Sequence, residues 1–500
     1  MSSRPGVPAL SILLAGVLCA IVNPGNFGTI DTARRLQAER WMRLGEPPVR
    51  RADIDSGFGI AGRHGVVHPW YGMGQSLVLM PFDLLVSATV VPQLRRLGLE
   101  DEKQRQAAEM LIAFLMQAAL TSALLLLARA LLESFGFPPM GAAAGAVSLL
   151  LATTCLPYVQ CAEENELLLV LALSALLAIR RWEAVGDWRW AALAGAACGF
   201  AVLVRLPSLM EAAAFGGFGL AAGGNRKRFL AAYLPPVGAG FLLDRWYQWL
   251  RFGEWSSTYL SILGRQARGA GTPASYPFSY PFVKGFLGAF YSLDKSVLLF
   301  DPLLLLAAAL AAWRWRALSR RVRAALVSLA ALLVLYDAFY ARYFDFGGDV
   351  AWGHRFLTLP VELLALFAVP LLVRDGRALP RPARRAAWAV VGLAAALQAL
   401  STAMVPNLEV IQRERGDPHG VLLNRVENLA DAIAGRTDKP RFAGVPREWR
   451  TLNYLPFQLR FRFPRLANWA MAAWWILVAS VPPLVRAVCQ AAEQPRCRSA

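Results

Sequence analysis

Long runs of apolar residues alternate along this chain with short polar interruptions. Blocks near 7–24, 109–131, 140–157, 166–180, 189–205, 207–224, 229–246, 297–313, 324–341, 355–374, 386–404 and 468–487 carry few or no charges. A helix needs about twenty such residues to cross a hydrocarbon core. The pattern therefore predicts an all-α integral membrane protein with about twelve transmembrane helices. Strands of an outer-membrane barrel would alternate apolar and polar positions, whereas these blocks are solid Ala, Leu and Val. A thirteenth apolar stretch, 75–91, is interrupted by Pro81 and Asp83.

Charge fixes the expected sidedness. Arg180-Arg181, Arg226-Lys227-Arg228 and the arginine-rich runs 314–323 and 374–385 lie between apolar blocks, where short basic loops mark the cytoplasmic side. All of them fall on that side if 75–91 is a re-entrant or juxtamembrane helix. The same parity puts the acidic stretch Glu163-Glu164-Asn165-Glu166 outside, together with four longer segments, 25–108, 247–296, 342–354 and 405–467. The division expected is a transmembrane module over 1–404 with a long first external loop bearing juxtamembrane helices, an external basic subdomain over 405–467, and a last helix with a cytoplasmic tail over 468–500.

Composition agrees with membrane residence. Hydrophobic residues make up 56% of the chain and the mean hydropathy is +0.40, above the usual 45–50% of soluble domains. The net charge of +18 comes from residues scattered between apolar blocks, not from a basic tract with interleaved aromatics, so no nucleic-acid partner is expected. The six cysteines have no metal-type spacing and predict no disulfide framework. Block 9–22 has the look of a signal peptide without a convincing cleavage site, and reads as an uncleaved first helix.

All four histidines, His64, His68, His354 and His419, fall in the external segments, and chemistry is expected there. Asp31, a few residues past the first helix, suits either of two roles: capping a helix over 32–44, or a general base held ionised by Arg34 and Arg35. His64, His68, Trp70 and Tyr71 approach the next apolar stretch through glycines, as a sugar or headgroup site would, although Trp and Tyr also serve as interfacial anchors. The densest segment is 341–356, with Asp345, Asp349, His354 and Arg355 among aromatics and glycines. An arginine opening an outward-facing helix runs against the topology rule, and a phosphate is the natural partner for its planar cation. Arg205, between two apolar blocks, and Lys295, at a helix mouth, are further candidate phosphate contacts.

In order and sidedness these motifs resemble the GT-C superfamily of membrane glycosyltransferases. An early external Asp31 is followed by His68-Pro69, Gly72, Gly74, Ser76, Leu77 and Pro81. The segment Gly347-Gly348 to Trp352-Gly353-His354-Arg355-Phe356 is similar to the Trp-Gly-Pro-Arg-Tyr pattern of bacterial polyprenyl-phosphate-sugar-dependent members, related to the protein O-mannosyltransferase and aminoarabinose-transferase group. Residues 293–302 are similar to their Lys-Gly-Leu-Phe…Pro stretch. His354 replaces a common proline, Ser296 a glycine, and Thr32 stands where many relatives carry a second acid. The resemblance covers most of residues 1–375.

It implies an inverting glycosyltransferase of the cell envelope, in a bacterial inner or plasma membrane with its active site facing the periplasm. A sugar would pass from a polyprenyl-phosphate donor to a glycan, glycolipid or protein acceptor. Asp31 would be the catalytic base, and Arg355, Arg205 and Lys295 would hold the donor phosphate. His64, His68, Tyr71, Glu163, Asp345, Asp349 and His354 are candidates for contacts to sugar or acceptor. No metal site or cofactor is called for by spacing, although Asp31, His64, His68, Asp345 and Asp349 could together hold a divalent cation. Two other classes compete: a transporter or flippase for a lipid-linked glycan, expected to show internal repeats and mid-helix charges, and a non-catalytic envelope-assembly scaffold, which would tolerate loss of Asp31.

Overall fold

The computed structural model describes residues 6–221, 225–267, 276–348 and 351–493. The chain is 77% helical. Among the described residues the sheet content is one antiparallel pair, Ile60–Ala61 with Val67–His68.

Among the described residues, six helices are long and apolar enough to cross a membrane: Gly74–Arg96, Asp101–Ser134, Arg320–Tyr340, Arg355–Ala378, Arg381–Ala403 and Pro464–Glu493. A seventh is formed if Pro139–Leu151 and Cys155–Cys161, bent by 56°, make one span. This is fewer than the twelve apolar blocks suggest. Val7–Val22, Trp188–Val204, Leu209–Ala221 and Pro302–Arg314 are helices of 16, 17, 13 and 13 residues. At 1.5 Å per residue they reach about 20–26 Å, against a hydrocarbon core of about 30 Å. Apolar sequence runs on past the helix ends, as at 297–313, where Asp301 separates a single turn, Val297–Phe300, from Pro302–Arg314.

Helix Pro464–Glu493 displays the environment most plainly: Trp469, Trp475 and Ile476 are 80%, 58% and 71% exposed, which lipid tolerates and water does not. Stretch 75–91, expected to be re-entrant or juxtamembrane, lies within one of the six by length and composition. At its centre, however, Asp83 is buried and pairs with Arg40 at 2.7 Å and with Arg43. Both arginines belong to the polar helix Ile30–Leu44.

Two close helix pairings set the working end of the bundle. Trp188–Val204 packs along Arg226–Phe252 with the two chains running the same way, since Gly195 meets Tyr233 and Gly199 meets Pro236 and Gly240. A Cβ at Gly195, Gly199 or Gly240 would overlap the facing backbone, so small residues permit the approach. Their C-terminal ends, with Arg205 on one and Gln248 and Arg251 on the other, therefore emerge at the same end. Gly72 and Gly74 lie against the backbone of Leu203 and Val204 just before Arg205, again with no room for a Cβ. The glycines of the His68 to Leu77 segment thus serve close backbone contact.

Segment 405–467 folds over this end around Met404, Leu408, Phe442 and Val445. Helices Asn407–Glu414 and Val421–Ile433 are joined by a buried Arg425–Glu409 pair at 2.6 Å. The amide of Gln160 ties three segments together, donating to the carbonyls of Val22, Thr402 and Asn453. Several arginines of this basic segment are matched by acids: Arg436 with Asp431 and Arg441 with Glu427 inside it, and Arg413 with Asp294 of an earlier external segment.

Candidate functional site

Helix Ile30–Leu44 is capped by Thr29, whose hydroxyl accepts from the Asp31 backbone N–H at 3.2 Å. Asp31 is thus not the cap, and its carboxylate is released for other partners. The Tyr71 hydroxyl donates to Asp31 Oδ1 at 2.5 Å, Arg355 Nη2 lies 3.4 Å from Oδ2, and Arg34 stands off at 3.9 Å. Arg34 is committed mainly to Asp53, at 3.0 Å, and to the face of Phe58. Burial and the neighbouring Asp31 push the Tyr71 phenol well above its ordinary range.

Arg355 is brought in by the glycine turn before it. Its N–H donates to the Gly347 carbonyl at 3.2 Å. Gly348 has φ +80°, and a Cβ there would stand 2.6 Å from Arg355 Cβ, so a side chain is excluded on conformation and space alike. The guanidinium then faces Glu163 at 3.2 Å and Glu164 at 3.5 Å as well as Asp31. Glu164 also pairs with Arg205 at 2.8 Å and with Arg35. Two adjacent carboxyls are driven apart: burial pushes Glu163 up, whereas for Glu164 the same burial is outweighed by Arg35, Arg355 and Arg205, which hold it well below the usual carboxylate range.

These groups line a cavity of about 1740 Å³. That exceeds the roughly 300–1,000 Å³ of a single small-ligand pocket, which leaves room for more than one small ligand. Its walls mix the charged cluster with Trp70, Tyr340, Tyr343 and Phe356 and with apolar Leu206, Pro207, Leu209 and Met210. Segment 405–467 contributes Trp449, Asn453 and Gln458. Among the buried lining groups, Trp352 Nε1, the Tyr158 hydroxyl and Arg35 Nη1 have no hydrogen-bond partner, which suits donors reserved for a ligand.

Of the residues singled out from sequence, Asp31, Tyr71, Glu163, Arg205, Asp345 and Arg355 line this cavity. Asp349 lies outside the described residues. Lys295 does not line it: its ammonium donates to the Ala351 carbonyl at 2.9 Å and its stem packs under Gly347. His64 is exposed on the 3₁₀ turn Arg63–Gly65. His68 is buried, edge-on to Trp41 and Phe252 and away from the lining. His354 is buried between Phe346 and Phe356. Among the described residues no three His, Cys, Asp or Glu side chains are grouped to hold a metal ion. Arg35, expected beside Asp31, pairs with Glu164 instead; Glu164, Tyr158 and Trp352 join the site without having been singled out as its members, and the signal for Glu164 was three outward-lying arginines needing a nearby anion.

His354 makes stability depend on pH. Burial, with Lys295 nearby, pushes its imidazole down from 6.5 to about 3. The unfolded chain takes up a proton below about pH 6.5, and the folded chain does not until about pH 3. Stability is therefore complete above the unfolded value and is lost as pH falls through this window, by about 2 kcal/mol at pH 5 for this group. The thermal unfolding midpoint is expected to drop on acidification from pH 7 to 5, and His354→Phe to lessen the drop; equal acid sensitivity in the two proteins would remove His354 as a cause.

No protein-family model, curated protein or solved structure matches this chain.

Proposed function

We propose that the chain is a membrane glycosyltransferase of GT-C type that moves a sugar from a polyprenyl-phosphate donor to an acceptor hydroxyl at the external membrane face. The observation that carries this reading is the Asp31 carboxylate set 3.4 Å from the Arg355 guanidinium in one cavity with polar and apolar walls. The acceptor oxygen attacks the anomeric carbon as its proton passes to Asp31. The carbon–oxygen bond to phosphate breaks, the phosphate keeps the electron pair, and the configuration inverts. Protonating Asp31 weakens its hold on Arg355, which frees that cation for the charge growing on the phosphate. The apolar wall suits the isoprenoid, and the short basic loops at the far end favour a cytoplasmic location for that end.

One observation favours the transporter reading: the bent pair Pro139–Leu151 and Cys155–Cys161 turns beside buried Asp301 and Glu362, both bonded to Thr154, and broken helices with buried acids are transporter features. One assay separates the two. Purified protein in liposomes is given radiolabelled polyprenyl-phosphate sugars and a membrane glycolipid extract. Glycosyl transfer to the extract is expected. Label crossing the bilayer with its glycosidic bond intact would replace the enzyme with a transporter.

A further inference from the structure

Arg34, Arg35, Arg205 and Arg355 around Asp31 are each matched by a carboxylate, but buried Arg251 on the same cavity is not. Arg251 is 2% exposed and lines the cavity together with Gln248. Its guanidinium donates to the carbonyls of Pro69, at 2.6 Å, and Tyr71, at 3.1 Å, and to Gln248 Oε1 at 2.9 Å. Among the described residues it forms no ion pair: the nearby Asp244 is taken by Arg245. Arg251 Nε and Gln248 Nε2 are both buried without hydrogen-bond partners. The ring centroids of Tyr247 and Phe252 lie 4.0 and 4.9 Å from the guanidinium carbon, so the cation is held in place without an ion pair of its own.

A buried charge without a counterion is costly, and at the wall of a cavity it signals a missing anion. From this we infer that Arg251 and Gln248 form a second anion site in the cavity, taking the phosphoryl or carboxylate group of a substrate. The inference rests on the glycosyltransferase reading for what the anion belongs to, but not for its binding. Tyr71 connects the two sites, its carbonyl accepting from Arg251 and its hydroxyl donating to Asp31. An anion held at Arg251 would thus be anchored beside the base, leaving Arg355 for charge that develops during reaction.

Binding to the full-length protein in detergent tests this with two charged probes and their neutral counterparts. Geranyl phosphate against geraniol stands for the donor, and glucose 6-phosphate against glucose for an anionic acceptor. At least one charged probe is expected to bind the wild type about tenfold or more tightly than its neutral form. Arg251→Gln is expected to cost that probe roughly 10- to 100-fold, and Gln248→Leu, which leaves the Pro69 and Tyr71 contacts of Arg251 in place, a smaller loss. Loss confined to geranyl phosphate assigns the site to the donor, and loss confined to glucose 6-phosphate assigns it to the acceptor. Equal binding of charged and neutral probes to the wild type, or unchanged charged-probe affinity in a folded Arg251→Gln protein, would overturn it. An Arg251-dependent anion site in a protein that transfers no sugar would leave this inference standing and remove the catalytic reading.

Discussion

Asp31→Asn is expected to lower sugar transfer by about 10²- to 10⁴-fold, the range assigned to a positioned general base. The replacement is close in shape, and an amide oxygen can still accept from the Tyr71 hydroxyl, so the helix start capped by Thr29 should persist. What disappears is the proton acceptor and the negative charge beside Arg355. Transfer of label from a polyprenyl-phosphate sugar, measured beside the thermal unfolding midpoint, separates chemistry from folding. Turnover within a few-fold of wild type would take Asp31 out of the mechanism, and with it the distinction from a scaffold.

Arg355→Ala is the second large effect. Removing one preorganised donor to a developing charge typically costs about 10²- to 10³-fold in turnover. The same cation stands among Asp31, Glu163 and Glu164, so its removal also leaves buried acids short of a partner, which can cost about 3–5 kcal/mol of stability. Arg355→Lys separates the two contributions. It keeps the charge, and hence most of the fold, but not the planar fork that spans several oxygens. Stability near wild type with turnover still depressed is the result expected, with kcat falling more than donor KM rises. A KM effect alone would mean that Arg355 binds the donor in its ground state and does not act in the reaction.

How far the site could be read ahead differs from residue to residue. Asp31, Arg205 and Arg355 were visible because each is a charge at an apolar boundary, and such a charge carries its own evidence. Glu164 was visible only as part of an acidic stretch, because its role depends on Arg35, Arg205 and Arg355 converging on it from three separate segments. Arg251 gave no sign: in sequence it is one more arginine after an apolar helix, and only its lack of an ion pair sets it apart. The histidines misled for a related reason. His68 lies next to the site in sequence, but the hairpin of Ile60–Ala61 with Val67–His68 turns it against Trp41 and Phe252. Lys295 likewise ends beneath the glycine turn that presents Arg355.

Local chemistry along the chain was enough to establish a helical protein of membrane character, since hydrophobic length is a property of neighbouring residues and needs no partner. It was not enough to count the crossings, because apolar residues continue into bends and caps that only packing reveals. Which polar side chains share the cavity was decided by tertiary structure alone. Glycine contacts between Trp188–Val204 and Arg226–Phe252 bring Arg205 and Arg251 to the same end, and the fold of the loops over that end determines which of the two meets a carboxylate.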